Sequence, residues 1–156
     1  MENLYSYLTA ITRTTHSVPV RWLKQHSLLK GRILDYGCGR GFDTIQLTED
    51  GYEVEAYDPH YQPVKPTGRF DTILCIYVIN VIEPADQRAV QADIYDRLNL
   101  GGHAYFAVRR DIKNEGWRKH SHNKYTYQEN AKMDLPIIYQ THKFVLYDLY
   151  NELPFT

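Results

Sequence analysis

Ile33-Leu34-Asp35-Tyr36-Gly37-Cys38-Gly39-Arg40-Gly41-Phe42-Asp43 is the stretch that decides how this chain reads. Apolar residues run into an aspartate, glycines alternate as G-x-G-x-G, and a helical pattern follows. Glycine lets the backbone bend sharply and lets a ligand press against it. A strand that ends in such a turn and feeds a helix offers amide donors to a nucleotide-like cofactor.

The spacing narrows the guest. A dinucleotide site reads G-x-G-x-x-G, so that a pyrophosphate sits at the helix N-terminus. This chain has no third glycine at that offset, and Asp35 just ahead of Gly37 would repel a pyrophosphate. A carboxylate there accepts hydrogen bonds from an ammonium group, which S-adenosyl-L-methionine carries at its amino-acid end. Asp58 closes the alternating run 52–57, and an acid about 20 residues past the glycines suits a ribose diol. A glycine-rich turn alone is equally well a plain tight loop. The two acids tip the reading toward the cofactor.

On these residues the chain resembles the class I S-adenosylmethionine-dependent methyltransferases. The likeness covers residues 31–109: the glycine turn, the acid after strand two, Phe70-Asp71-Thr72-Ile73-Leu74-Cys75-Ile76-Tyr77, and the run from Leu98 through Gly101-Gly102 to Phe106. A finer likeness, to small bacterial and phage members, lies in Thr12-Arg13 to Pro19, Tyr77-Val78-Ile79-Asn80-Val81 and Tyr105 to Asp111; methyltransferases associated with DNA phosphorothioation look similar over the central part. The resemblance implies a Rossmann-like α/β sheet in three layers, with S-adenosyl-L-methionine as cofactor and S-adenosyl-L-homocysteine as product. It further implies that Asp35, Gly37, Cys38 and Gly39 line the cofactor. Asp58, Pro59 and Tyr61 would meet its adenosine, with Cys75, Ile76 and Tyr77 beside them and Arg13 facing the methionyl carboxylate.

Composition bounds the rest. At 156 residues the chain is expected to form one domain, with 1–30 a helical cover and 31–156 the core. A net charge of −1 supplies no global pull toward nucleic acid. Cys38 lies in the turn and Cys75 in a buried strand, so no structural disulfide is expected and a reducing compartment fits. With no basic-then-apolar leader and no apolar run near membrane length, a cytoplasmic protein without a membrane partner is expected.

Periodicity predicts a short helix over 3–11 and another from Ser17-Val18-Pro19 with Val20, Leu23 and Trp22 inward. It then predicts strand one over 32–36, a helix over 42–50 ending at Gly51, and strand two over 52–57. The family's strand four falls at 70–78, a helix runs from Pro84 to Leu98, and strand five covers 103–109. The tail folds as an antiparallel hairpin over 135–139 and 143–150. Between Pro59 and Arg69 the family normally carries a helix, a third strand and a further helix. A strand-helix-strand unit takes about 30 residues, and Pro59, Pro63 and Pro66 forbid a helix in this span. Strand three and its flanking helices are therefore missing. Strand two becomes the edge of a six-stranded, trimmed sheet, and the proline loop covers the adenosine, with Tyr61 a candidate for stacking.

Ligands of open parallel sheets bind beyond the carboxyl ends of the strands, where strand order reverses. Tyr77, Asn80 and Asp111 are the candidate catalytic residues there. Tyr77 lies on the family's strand four and Asn80 in the turn after it, and Asp111 is a candidate base past strand five. Asn80 equally suits a turn before Pro84, and Asp111 equally suits a solvated loop. The Asp/Asn-Pro-Pro-aromatic tetrad of exocyclic amino methylation is absent, as is the Pro-Cys pair of cytosine carbon-five methylation. Cys75, inside its strand, reads as a packing residue rather than a nucleophile.

The segment Arg109–Lys124 is locally basic and interleaved with aromatics, which suits a nucleic-acid strand or an ordinary charged connector over the sheet. His120 and His122 lack the further ligands of a metal site, and no metal is expected. The reading is methyl transfer to an unidentified acceptor: a small anionic metabolite, a nucleotide or a nucleic acid. The alternatives are a cofactor-binding module without its own catalysis and, against the glycine spacing, a nicotinamide oxidoreductase. A monomer or a homodimer is expected, since Glu53 and Glu55 on the edge oppose easy self-addition.

Overall fold

The computed structural model describes residues 3–153, so residues 1–2 and 154–156 of the expected domain lie outside it. Eight strands form: β1 (Arg32–Tyr36), β2 (Glu53–Tyr57), β3 (Phe70–Ile76), β4 (Leu98–Arg109), β5 (Gly116–Ser121), β6 (Lys124–Gln128), β7 (Ile137–Gln140) and β8 (Phe144–Tyr150). Three α-helices accompany them: α1 (Val18–Gln25), α2 (Phe42–Glu49) and α3 (Pro84–Asp96). Six strands make one sheet in the order β2-β1-β3-β4-β8-β7. Its first four members run parallel, and β8 and β7 close it antiparallel. The chain leaves β1 for β2 on one side and returns to β3 on the other, which places the reversal of strand order between β1 and β3.

Alternation along the strands divides the core into two. Leu34, Ile73, Cys75, Ala104 and Phe106 pack with Ile94 of α3 on one face. Ile33, Leu74, Tyr105 and Ala107 pack with Val20 and Leu23 of α1 and Leu47 of α2 on the other. This is the three-layer, trimmed Rossmann-like sheet. Among the described residues no helix is long and apolar enough to cross a membrane.

The link from Tyr57 to Phe70 is held by backbone capture instead of a packed module. Asp58 and Gln62 exchange both of their backbone hydrogen bonds, at 2.9 and 3.0 Å. Further along, the Arg97 guanidinium donates to the Pro66 carbonyl at 2.7 Å. Arg32 donates to the carbonyls of Thr67 and Arg69 at 3.1 and 3.0 Å while lying 4.2 Å from the Phe70 ring centre.

Three local expectations need correction. The helix over 3–11 is a single 3-10 turn, Ser6–Thr9, because so short a segment is marginal as a helix and its tyrosines are drawn into side-chain stacking. Strand β4 starts at Leu98 and passes through Gly101 (φ 80°) with a register irregularity opposite Phe70–Thr72. The basic connector contains a β-hairpin, β5–β6, turning at His122-Asn123 with Asn123 at φ 55°. Trp117, Tyr125, Thr126 and Tyr127 are strand formers, and a two-residue turn needing positive φ suits asparagine.

Candidate active site

The glycine turn leaves β1 at its carboxyl end, where Gly37 and Cys38 donate to the Tyr57 carbonyl at 2.7 and 3.0 Å. Gly37 takes φ 81°, and a Cβ there would stand 2.4 Å from Val78 Cγ2. The backbone of the turn is thus pressed against Val78, two residues past the end of β3. A Cβ on Gly39 would meet Ala10 at 3.5 Å, so the N-terminal segment passes directly over the turn. Tyr7 in the same segment stacks on His60 at 3.7 Å.

Asp35 is 4% exposed and accepts one hydrogen bond, from the Thr44 hydroxyl at 2.7 Å. Burial, then Asp43, push its carboxyl up to about 7, against the Thr44 bond, with Asp58 adding to the rise. A cation placed beside this group of acids relieves both burial and mutual repulsion. The buried carboxylate therefore fits the ammonium end expected of the cofactor.

Asp58 anchors two loops at once. Its Oδ2 accepts the Gly39 N–H at 3.0 Å, and its Oδ1 accepts the N–H groups of His60 and Tyr61 at 2.9 and 3.0 Å. One carboxylate ties the glycine turn to the proline loop. Pro59 sits exposed in that loop. Tyr61 packs edge-on to His60 at 4.7 Å, with the Arg40 guanidinium 5.5 Å from its ring centre.

Tyr77 follows β3 at φ 59°, the left-handed region that costs a bulky residue energy. Its ring lies 5.8 Å from the Arg13 guanidinium and 6.0 Å from that of Arg109. Burial raises its hydroxyl pKa, with the two arginines opposing. Arg13 thus stands over the Tyr77 ring. Ile76 is half-buried on the α1–α2 side.

The other sequence candidates have partners within the fold. Cys75 is fully buried in the α3-side core, so its side chain packs and does not line the cleft. Cys38 is half-buried, and its thiol is pushed up to about 12 by burial, then by Asp35 and Asp58. Asn80 is 4% exposed; its carbonyl oxygen accepts the Arg109 N–H at 3.3 Å and its backbone carbonyl accepts Glu129 N–H at 2.9 Å. Asp111 bonds Arg109 at 2.7 Å, and that bond holds its carboxyl below the usual range. A carboxylate so held is a poor proton acceptor.

Sequence reasoning missed the seam behind the turn. Asp43 in the first turn of α2 accepts His16 Nδ1 at 2.8 Å and both the N–H and hydroxyl of Ser17, at 3.1 and 2.9 Å. His16-Ser17 directly before a helix start was its visible signal, though the partner was not.

A family model described as a methyltransferase domain matches residues 14–142, spanning the turn, both acids, Tyr77 and the β5–β6 hairpin. The chain belongs to this methyltransferase-domain family. No curated protein matches the domain by sequence. Among solved structures, it is similar to the 1,6-didemethyltoxoflavin N1-methyltransferase of Burkholderia thailandensis, bound to 1,6-didemethyltoxoflavin and S-adenosylhomocysteine. That match has TM-score 0.57 and 17% identity, over 82% of this chain and 74% of the other. A second is the magnesium protoporphyrin IX methyltransferase of Synechocystis with bound S-adenosylmethionine (TM-score 0.52, 15% identity, 83% and 74% covered). A third comes from a study of the conversion of a disulfide bond into a thioacetal group during echinomycin biosynthesis (TM-score 0.54, 22% identity, 60% of this chain). The methyltransferase domain spans about half of that third chain, 49%. At these identities the likeness establishes the fold.

Proposed function

We propose that this methyltransferase domain binds S-adenosyl-L-methionine across the carboxyl ends of β1, β2 and β3 and transfers its methyl group to an acceptor arriving beside Tyr77. The observation that carries the reading is the buried Asp35 carboxylate, without a cationic partner among the described residues, at the strand-order reversal beside a glycine turn pressed against Val78. Asp58, already fixing Gly39, keeps the turn and the adenosine side in register. When bound, the cofactor supplies a methyl group already activated by a sulfonium. The chain's part is then alignment: Arg13 and Arg109 fix the Tyr77 ring at the acceptor side. We further place the chain among the small bacterial and phage members of the family, on the Tyr77–Val81 and Tyr105–Asp111 segments.

Calorimetry with S-adenosyl-L-homocysteine tests the reading. Binding is expected, and Asp58→Ala is expected to weaken it by about 1–3 kcal/mol through loss of a charged acceptor and of the turn's anchor. Absence of binding to the intact chain overturns it.

One observation favours a second reading, a binding module without its own turnover. Asn80 and Asp111, two of the three catalytic candidates, are engaged by Arg109. A broad acceptor screen that stays silent while S-adenosyl-L-homocysteine binds selects that reading.

A further inference from the structure

Beyond the end of β4, Asn80, Arg109, Asp111, Lys113, Arg118 and Gln128 line a cavity of about 310 Å³. One wall is the β4 end that carries Arg109, and the opposite wall is the β5–β6 hairpin, which supplies Arg118 and Gln128. The cavity adjoins the acceptor side of the candidate site, because the same Arg109 guanidinium lies 6.0 Å from the Tyr77 ring centre.

Its charge is lopsided. Arg109 and Asp111 neutralise each other at 2.7 Å. Among the described residues neither Lys113 nor Arg118 has a carboxylate within ion-pair distance, which leaves two uncompensated cations facing one hollow. Asn80 adds a neutral donor. The residue is 4% exposed, its carbonyl oxygen is taken by Arg109 N–H, and its amide nitrogen makes no hydrogen bond among the described residues. Two cations and an amide on one concave surface match a group with several acceptor oxygens and up to two negative charges. A phosphate monoester has that inventory, and arginine is the side chain best shaped for it.

We propose that this cavity is a phosphate-recognition site that seats the phosphate of the methyl acceptor, with Arg118 and Lys113 balancing its charge and Asn80 donating to it. As a statement about the acceptor, it rests on the methyltransferase reading above. As a statement about binding, it stands alone. Outward from the cavity the hairpin continues positive through the exposed Lys119 and Lys124, so the phosphate comes either from a free nucleotide-sized compound or from a longer strand. The chemistry recognised is the same.

Binding of inorganic pyrophosphate tests the site, measured by calorimetry on the full chain with S-adenosyl-L-homocysteine present. The intact chain is expected to bind pyrophosphate, and the Lys113→Gln, Arg118→Gln double variant is expected to lose at least tenfold in affinity. The Lys30→Gln, Arg88→Gln double variant, at two exposed positions outside the cavity, removes the same two charges and is expected to bind as the intact chain does. No pyrophosphate binding, or equal weakening by the Lys30→Gln, Arg88→Gln variant, overturns the proposal. Titration with S-adenosyl-L-homocysteine alone reports separately on the cofactor reading. Pyrophosphate binding with no response to S-adenosyl-L-homocysteine leaves the cavity site standing and removes the cofactor reading. A twelve-nucleotide oligouridylate distinguishes the sources. Affinity at least tenfold above that of pyrophosphate, lost in a Lys119→Gln, Lys124→Gln variant, assigns the phosphate to a strand; equal affinity assigns it to a small molecule.

Discussion

Asp35 couples cofactor binding to pH. Its carboxyl, raised to about 7 chiefly by burial, must be ionised to accept hydrogen bonds from an ammonium. Affinity for S-adenosyl-L-homocysteine should therefore rise about tenfold per unit as pH increases toward 7 and level off above it. Asp35→Asn should flatten the curve, as read by calorimetry from about pH 5.5 to 8.5. The free protein carries the opposite trend: between the ordinary carboxyl value and about 7 the folded state keeps a proton that the unfolded state has lost, so this group's effect on stability becomes less favourable as pH rises through that window. The neighbouring glycines separate conformation from crowding. Gly37 and Gly41 take similar φ values, 81° and 84°, but a Cβ meets Val78 at 2.4 Å on the first and nothing within 4 Å on the second. Each alanine substitution should cost about 1–2 kcal/mol for the left-handed backbone, and Gly37→Ala about 1–3 kcal/mol more for overpacking. Urea unfolding should show that difference, and a Val78→Ala background should erase it. Equal costs in the intact background would mean that the turn is not pressed against Val78.

At the scale of elements, the α1–α2 seam shows what a sequence conveys and what it withholds. Ser17 before Val18-Pro19 reads as a helix start, and α1 does begin there. Its hydroxyl, however, makes no cap bond to α1 and reaches across to Asp43 of α2. The start is a local property of the residues; the partner is 26 positions away, and only the fold brings it near. The same division runs through the site. The glycine turn, the two acids, and the edge position of β2 follow from spacing, from proline placement, and from the reach of a short link. That Asp58 spends its oxygens on Gly39, His60 and Tyr61, or that Arg109 engages Asn80 and Asp111, depends on contacts between strands that periodicity does not encode. The β5–β6 hairpin was legible in principle, through its aromatic and β-branched residues around His122-Asn123, but its lysines and arginines dominate the composition. Because Ser17 is fully buried, Ser17→Ala should cost about 1–2 kcal/mol of stability by leaving Asp43 short of a donor. Asp43→Asn removes a charge that raises Asp35, so it should move the midpoint of the pH-dependent S-adenosyl-L-homocysteine binding to lower pH. An unmoved midpoint would detach the seam from the site.

For the whole molecule, the shortened link after β2 fixes the boundary of the sheet. Among the described residues no strand lies beyond β2, which presents an open edge, and its Glu53 and Glu55 are exposed. An open parallel edge pairs readily with another chain unless charge or cover prevents it. Val54 packs on the opposite face against the α1–α2 core, so that face is closed, and the two glutamates supply the protection. Glu55 bonds Arg32 at 2.9 Å at an exposed position, and such a pair is worth about 0–1 kcal/mol. Arg32 keeps its carbonyl partners on the link without it. The Glu53→Val, Glu55→Val variant should therefore stay folded, with urea stability within about 1 kcal/mol of the parent. It should nevertheless associate with rising concentration in light scattering after size exclusion, where the parent keeps a constant mass. Association with unchanged stability assigns the parent's constant mass to charge on the edge. If the variant keeps the parent's mass at every concentration, geometry protects the edge rather than charge, and the carbonyl-capturing arginines of the link become its guard.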